Sequence, residues 1–285
     1  MKTRAVAALK AEYPLPVLLE AAGLARSTFY YHQARMDRPD PKLPLKDAIA
    51  QAFTEAKGRY GHRRLHAVLT RQGWKVAKKT VLALMRSIGL ACRVRRRHNP
   101  YLSYKGHVGK TAPNLLDRKF TAEAPGRKWV TDVTEFAIGD RKIYLSPVID
   151  LFDRSVVAYS VGSSPSLGLT LASLREAIAT LTADEHPLVH SDQGFQYQHR
   201  SWRRLLDSHG LAQSMSRKGN CLDNAVAECF FGHLKSEIFQ HRQPKDSDQL
   251  TQAIDEYIHW YNTERIHTRL EGLSPVQYRA KALKV

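Results

Sequence analysis

Hydrophobic residues change their spacing twice along this 285-residue chain. Up to about residue 98 they recur at helical intervals. From 127 to 216 short β-branched and aromatic runs alternate with helical stretches, and beyond 217 the spacing is helical again. Near the N-terminus, Val17, Leu18, Leu19 and Ala22 predict one helix, Gly23-Leu24 a turn, and Ser27 the cap of a second helix through Thr28, Phe29, Tyr30 and Tyr31. This pair fits a DNA reader and a structural fragment about equally, since Phe29 and Tyr30 can simply pack on the first helix. Residues 36–46 carry Pro39, Pro41 and Pro44 and read as a linker, followed by a helix from about Asp47 to Ala56. A second helix-turn-helix pattern spans 59–90. Leu65, Val68 and Leu69 make one apolar side, Gly73 a break, and Val81, Leu84, Met85 and Ile88 the next side, stopped by Gly89.

The middle of the chain predicts a strand at about 128–138, a Gly139-Asp140 turn, a strand over Lys142–Leu151 and a third over Val156–Gly162. A helix at about 167–182, a strand at 187–191, a helix at about 199–209 and a strand at 211–216 follow. Three strands and then alternating helices and strands give an α/β class with a mixed sheet. After a loop at 217–223 comes a helix with Val226, Phe230, Leu234 and Ile238 on one stripe. Asn224, Glu228, Phe231 and Lys235 fall on the other side, and Asp223 or Asn224 can cap the start. A long helix at about 247–263 and a short one opened by Ser274-Pro275 complete the chain.

Charge sharpens this picture. The net charge is +17, and residues 1–112 hold 23 Lys/Arg against 6 Asp/Glu, whereas residues 113–285 balance at 21 of each. A one-sided basic block suits a polyphosphate partner, because each neutralised phosphate releases counterions. Within it Arg63, Arg64, Lys78, Lys79 and Arg86 face solvent on the second helix pair. Arg95, Arg96 and Arg97 lead into Tyr101, Tyr104 and Lys105, a run suited to tracking a nucleic-acid strand. No apolar run reaches the ~18–20 residues of a membrane span, and the charged N-terminus has no signal-peptide core. Cys92, Cys221 and Cys229 read as free thiols in a reducing cytosol. His62, His66 and Cys92 lack a fourth ligand for zinc.

Three acids stand out by position: Asp132 in the strand Trp129-Val130-Thr131-Asp132, Asp192 just past the strand ending His190-Ser191, and Glu228 on the helix, with 35 residues between Asp192 and Glu228. These segments, with Asp192-Gln193-Gly194-Phe195-Gln196-Tyr197 and Ser214-Met215-Ser216-Arg217-Lys218-Gly219-Asn220, resemble the D-D-E triad of the retroviral-integrase superfamily. They are most similar to second-reading-frame (OrfB-like) insertion-sequence transposases of the IS-three family, from about Tyr60 to the C-terminus. The resemblance implies an RNase H-like mixed-sheet catalytic core preceded by small helix-turn-helix modules. The chain then divides into a helix-turn-helix-like fragment (1–35), a linker and helix (36–58), a second DNA-binding helix-turn-helix-like region (59–98), a basic linker (99–126), the integrase-like core (127–240) and a C-terminal helical extension (241–285).

Carboxylates without a nucleophilic triad, beside a basic surface, point to metal-assisted phosphoryl transfer. Two Mg²⁺ ions are expected, with Mn²⁺ able to substitute. Asp132 is assigned as shared between them, with Asp192 and Glu228 holding one each. The expected reaction is metal-dependent cleavage at element ends, then strand transfer by the freed 3′-hydroxyl. A nuclease that stops at hydrolysis and a DNA-binding regulatory partner inactive as an isolated chain remain alternatives. The resemblance implies a phosphate contact for Lys235, for which a salt bridge to Glu237 or Asp223 is the alternative. Asn224, Arg217 and Lys218 are further candidate DNA contacts, and Arg265 and His267 face DNA or serve packing. Asp150 and Asp153 are expected to pair with Arg154, and His190 and Ser191 to order the Asp192 loop. Expected partners are DNA, both terminal repeats and target, other copies of the chain on DNA, and an upstream-frame (OrfA-like) product or fusion. The expected location is the bacterial cytoplasm, at the nucleoid.

Overall fold

A computed structural model describes residues 2–36, 38–92, 111–218, 221–239 and 243–284. Arg95, Arg96, Arg97, Tyr101, Tyr104 and Lys105 lie outside these residues. The chain divides into two compact units, Met1–Gln51 and Ala52–Val285.

In the first unit, α1 (Lys2–Leu9) precedes the two expected helices, α2 (Leu15–Ala22) and α3 (Arg26–Met36). Gly23 closes α2 in the left-handed region at φ 56°, donating its N–H back to the α2 carbonyls. Val6, Leu19 and Phe29 form the small core, while Tyr30 and Tyr31 are exposed. Phe29 therefore packs, as the structural reading allowed. Helix α4 (Leu43–Glu55) starts four residues earlier than expected. Pro44 falls in its first turn, where the missing N–H breaks no helical bond.

The second unit opens with α5 (His62–Arg71) and α6 (Lys78–Ser87), whose facing sides bury Leu65, Leu69, Val81, Leu84 and Met85. Strands β1 (Lys128–Thr131), β2 (Thr134–Ile138), β3 (Arg141–Asp150), β4 (Val156–Gly162), β5 (Leu188–Ser191) and β6 (Ala212–Met215) build one sheet. The single strand expected at 128–138 is broken at Asp132-Val133. Both halves pair antiparallel with β3, β2 against residues 141–145 and β1 against 148–150. Val133 N–H donates to the Asp132 carboxylate (2.7 Å), so the chain leaves the ladder there. β4 flanks β3 on its other side, while β5 lies parallel to β1 and β6 parallel to β5. The sheet is mixed, as an RNase H-like core requires.

Strand alternation sends successive β1 side chains to opposite faces. Val130 joins Leu145, Ile149 and the inner sides of α10 (Ala225–Phe239) and α11 (Ser247–Thr263). Trp129 joins Val148, Val189 and the helices α7 (Leu167–Ile178) and α9 (Arg200–Asp207), with the short α8 (Phe195–Gln198) between β5 and α9. Full burial of each such side chain stabilises by ~1.5–3 kcal/mol, so β1 is fixed from both sides.

The C-terminal helices tie down the strand ends. In α12 (Pro275–Ala282), Ser274 caps the helix with Gln277 completing a capping box. Arg279 pairs with Asp153 and with Asp150 (3.6 Å). The expected partner Arg154 instead donates to the Phe120 carbonyl. Arg265 is buried at 1 % exposure, which removes it from any DNA-facing surface. His267 packs edge-on against Tyr261, 4.8 Å between centroids. Burial, then the neighbouring Arg265 and Arg64 charges, push its imidazole from 6.5 down to about 2. An unfolded histidine gains its proton below 6.5 while this one stays neutral. Stability is therefore complete above that pH and falls as pH drops, by about 2 kcal/mol at pH 5. Urea unfolding at pH 7 and 5 is expected to show this contribution as a smaller acid loss in His267→Gln than in wild type, the buried His190 supplying a comparable share in both. An equally acid-sensitive variant would assign the loss to other groups.

Candidate active site

Each of the three acids is placed by a different element. Asp132 sits at the β1 break, Asp192 one residue past the end of β5, and Glu228 in the first turn of α10. β1 and β5 run parallel side by side, so their C-terminal ends bring Asp132 and Asp192 together. Burial pushes the Asp132 carboxyl well above the usual carboxylate range, and the charges of Asp192 and then Glu228 add to the push. Burial also raises Asp192 and Glu228. Asp132 thus sits buried within the fields of both other acids, while Glu228 is half-buried. Glu228 acts on Asp132 less than Asp192 does. Among the described residues no group of three or more His, Cys, Asp or Glu side chains stands arranged to hold a metal ion.

Neighbouring groups fix the acids. Asp132 Oδ2 accepts from Asn224 Nδ2 at 3.0 Å, a bond from the residue one turn before Glu228. Asp192 Oδ1 accepts from Gly194 N–H at 2.9 Å. A Cβ on Gly194 would stand 2.7 Å from Gln196 Nε2 and 3.0 Å from that same carboxylate oxygen, so a larger residue here would have to displace these side-chain ends. His190 is fully buried, its two ring nitrogens 2.8 Å from Ser214 Oγ and 3.1 Å from Ser216 Oγ. It ties β5 to β6 beneath the Asp192 turn and stays neutral, because burial lowers it to about 4. Ser191 Oγ donates to the Asp192 carbonyl. Tyr197 lies buried behind the acids, its phenol pushed up by burial and by the charges of Asp132 and Asp192.

Asp223 does not cap α10. A 3-10 turn, Cys221–Asn224, leads into the helix, and the Asp223 carboxylate holds Arg217 (2.9 Å), Arg118 (2.9 Å) and Asn114 (3.0 Å). These bonds keep it below its usual range against the cost of burial. The expected polar side of α10 is also only partly polar. Phe231 is buried, and Lys235 is half-buried with its ammonium 5.2 Å from the centre of the Phe136 ring. Burial lowers that ammonium, while the charges of Glu135 and Asp132 oppose the shift. Glu237 pairs with Arg265, not Lys235.

The other candidate DNA contacts separate into three groups. Arg63, Lys78, Lys79, Arg86 and Lys218 are exposed. Arg64 turns inward, 3.6 Å from Glu237, and Arg217 is engaged by Asp223. Arg95, Arg96 and Arg97 fall outside the described residues. The sequence reading missed Tyr197 and the Asn224–Asp132 bond. The one-turn spacing between Asn224 and Glu228 was the signal for that bond.

Two integrase core domain models match residues 122–221 and 228–283, and an HTH-like domain model matches 41–98. The transposase InsK assigned to insertion sequence element IS150 of Escherichia coli (strain K12) is 48% identical over 271 residues, 95% of each chain. The transposase InsF for insertion sequence IS3A of the same strain is 33% identical over 279 residues, 96% of each. The magnesium-bound catalytic core domain of HTLV-2 integrase aligns over 55% of this chain and 99% of its own, at 19% identity and a TM-score of 0.46. Among the described residues no helix is long and apolar enough to cross a membrane. An integrase-type core with its acids at adjacent strand ends, a helix-turn-helix-like region before it, and relatives matched over nearly their whole length place this chain among the insertion-sequence transposases of the IS-three family, enzymes of phosphoryl transfer on DNA.

Proposed function

We propose that Asp132, Asp192 and Glu228 are the catalytic acids, that they hold magnesium, and that the chain cleaves the ends of its element and joins the freed 3′-hydroxyls to target DNA. The observation that carries this reading is the placement of Asp132 and Asp192 at the adjacent ends of the parallel strands β1 and β5, with Glu228 in the first turn of α10 close enough for its charge to act on Asp132. An all-oxygen donor set with unrelieved negative charge suits a hard divalent cation. Asp132 would be shared by two ions, with Asp192 and Glu228 holding one each. Bound there, the ions would stabilise the attacking and leaving oxygens of an in-line displacement.

The protein's own groups do the rest. Asn224 and Val133 N–H orient both oxygens of Asp132, and Gly194 N–H orients Asp192. Lys235, held over Phe136 within the fields of Glu135 and Asp132, would contact a phosphate oxygen. Joining two element ends requires at least two copies on DNA, and an upstream-frame product is the proposed partner for end recognition.

The test is magnesium-dependent 3′-end cleavage and joining on DNA bearing the repeats that flank the coding sequence. The protein is assayed alone and fused to any upstream frame, as wild type and as Glu228→Gln. Wild type is expected to cut and join, and the variant to do neither while unfolding at an unchanged or higher temperature. Cleavage without joining would favour a nuclease, and equal cleavage by the variant would remove Glu228 from the site.

A further inference from the structure

A groove of about 1140 Å³ runs along the face of α10 that carries Glu228, with the start of α5 as its opposite wall. Its lining is cationic. Arg59, Arg63, Arg64 and Arg269 line it beside two carboxylates, Glu228 and Glu237, with Arg265 buried against Glu237 at its floor. Glu237 is already engaged by Arg265, Arg64 and the Tyr257 hydroxyl. Helix α5 begins at Gly61 with no side-chain cap and no acid in its first turn. Gly61, His62, Arg63 and Arg64 all line the groove, so this bare helix start opens onto it. Arg59 is 91% buried by its 9% exposure, lies 4.5 Å over the Trp260 ring, and has an Nε with no partner among the described residues. It is a desolvated cation held ready at the groove wall. No Phe, Tyr or Trp is among the lining residues, and of aromatic rings only the imidazoles of His62, His233 and His267 are, so the groove offers mainly charge to phosphates.

We propose that this groove seats the phosphodiester backbone of the DNA strand whose 3′ end is processed, carrying it from the α5–α6 helix pair to Glu228. The inference rests on the proposed reaction and adds the path of its substrate. It gives Arg59, Arg63 and Arg269 phosphate contacts and sets the α5 N-terminus against a phosphate. Arg64 stays paired to Glu237 and contributes its field.

Cys229 is a free, exposed thiol in the same lining, beside Glu228, and serves as a built-in reporter. The experiment is maleimide labelling of the wild-type protein, read at Cys229 by peptide mass, with and without saturating terminal-repeat duplex and no added magnesium. Labelling is expected to slow at least tenfold, roughly, when DNA is bound. In parallel, Arg63→Gln/Arg269→Gln alters two exposed side chains. It is expected to keep the wild-type unfolding temperature while the slope of log affinity against log salt falls by about 1.4–1.8, the share of two phosphates. Unchanged Cys229 labelling on saturated protein, or an unchanged salt slope, overturns the groove. If wild type cuts and joins while Cys229 stays reactive, the groove fails and the reaction stands. Protection of Cys229 and a reduced slope without any cleavage leave the groove and remove the reaction. Absence of DNA binding removes both.

Discussion

Asp132→Asn is expected to abolish cleavage and joining while making the metal-free protein more stable. Loss of a shared metal-binding carboxylate is expected to slow the reaction by roughly three orders of magnitude or more, about 4 kcal/mol of transition-state stabilisation. The gain in stability follows from the same geometry. The Asp132 carboxyl is desolvated and repelled by Asp192 and Glu228, so removing its charge relieves a cost that the folded state alone bears. The local hydrogen bonds can survive the change. Asn224 Oδ1 is buried without a partner among the described residues, while Asn224 Nδ2 donates to Asp132. Rotating the Asn224 amide by half a turn lets its oxygen accept from the new side-chain N–H. The measurement pairs a cleavage assay with thermal unfolding, with and without magnesium. A rise of a few degrees is expected without metal, at roughly 2–4 °C per kcal/mol. Magnesium is expected to raise the unfolding temperature of wild type and to leave the variant nearly unmoved. A variant that still cuts would remove Asp132 from the chemistry, and one less stable than wild type would contradict the repulsion.

The acids were legible because each follows from short-range pattern. Asp132 and Asp192 end β-branched runs, and Glu228 begins a helix with an apolar stripe. Their supports were less legible because they join residues far apart in sequence. Asn224 and Asp132 are 92 positions apart, Arg118 and Asp223 are 105 apart, and Arg279 and Asp153 are 126 apart. Local reading gave Asp223 to a cap and Asp153 to its neighbour Arg154, since nearby partners are all that sequence offers. The β1–β2 break was hidden for a related reason. Trp129 to Ile138 has strand composition throughout, and the interruption comes from a side-chain bond of Asp132 to the next N–H. Periodicity also placed Phe231 on the polar side of α10, where a helix packed on two sides buries it.

Helix α10 connects the chemistry to the rest of the unit. Its first turn holds Glu228 and its last turn holds Glu237, which reaches Arg265 from the chain after α11 and Arg64 from α5. The acid face and the α5–α6 pair are therefore joined through one helix and one buried cluster of charges. Displacing Glu237 displaces a wall of the basic groove as well as the helix carrying Glu228.

Arg265→Met is accordingly expected to be among the most destabilising single changes in the chain. Arg265 and Glu237 are both 1% exposed and meet through two hydrogen bonds, Nη2 to Oε1 at 2.7 Å and Nε to Oε2 at 2.9 Å. Burial penalises both charges. The hydrogen bonds and charge of Arg265 nevertheless hold Glu237 below its usual range, and Tyr257 and Glu237 hold Arg265 above its own. Removing the arginine leaves a desolvated carboxylate with Arg64 at 3.6 Å, the Tyr257 hydroxyl at 3.0 Å and the weaker field of His233. Breaking a buried pair from one side costs about 3–5 kcal/mol, an unfolding temperature lower by roughly 6–20 °C at this size. The double change Glu237→Leu/Arg265→Met removes the stranded charge and is expected to recover most of that loss, because a buried pair and an apolar pair of similar volume are often close in energy. Denaturant midpoints for wild type, both single variants and the double variant give the coupling directly. Full stability of Arg265→Met, with weakened DNA binding alone, would instead return Arg265 to the DNA-facing role that its sequence neighbourhood suggested.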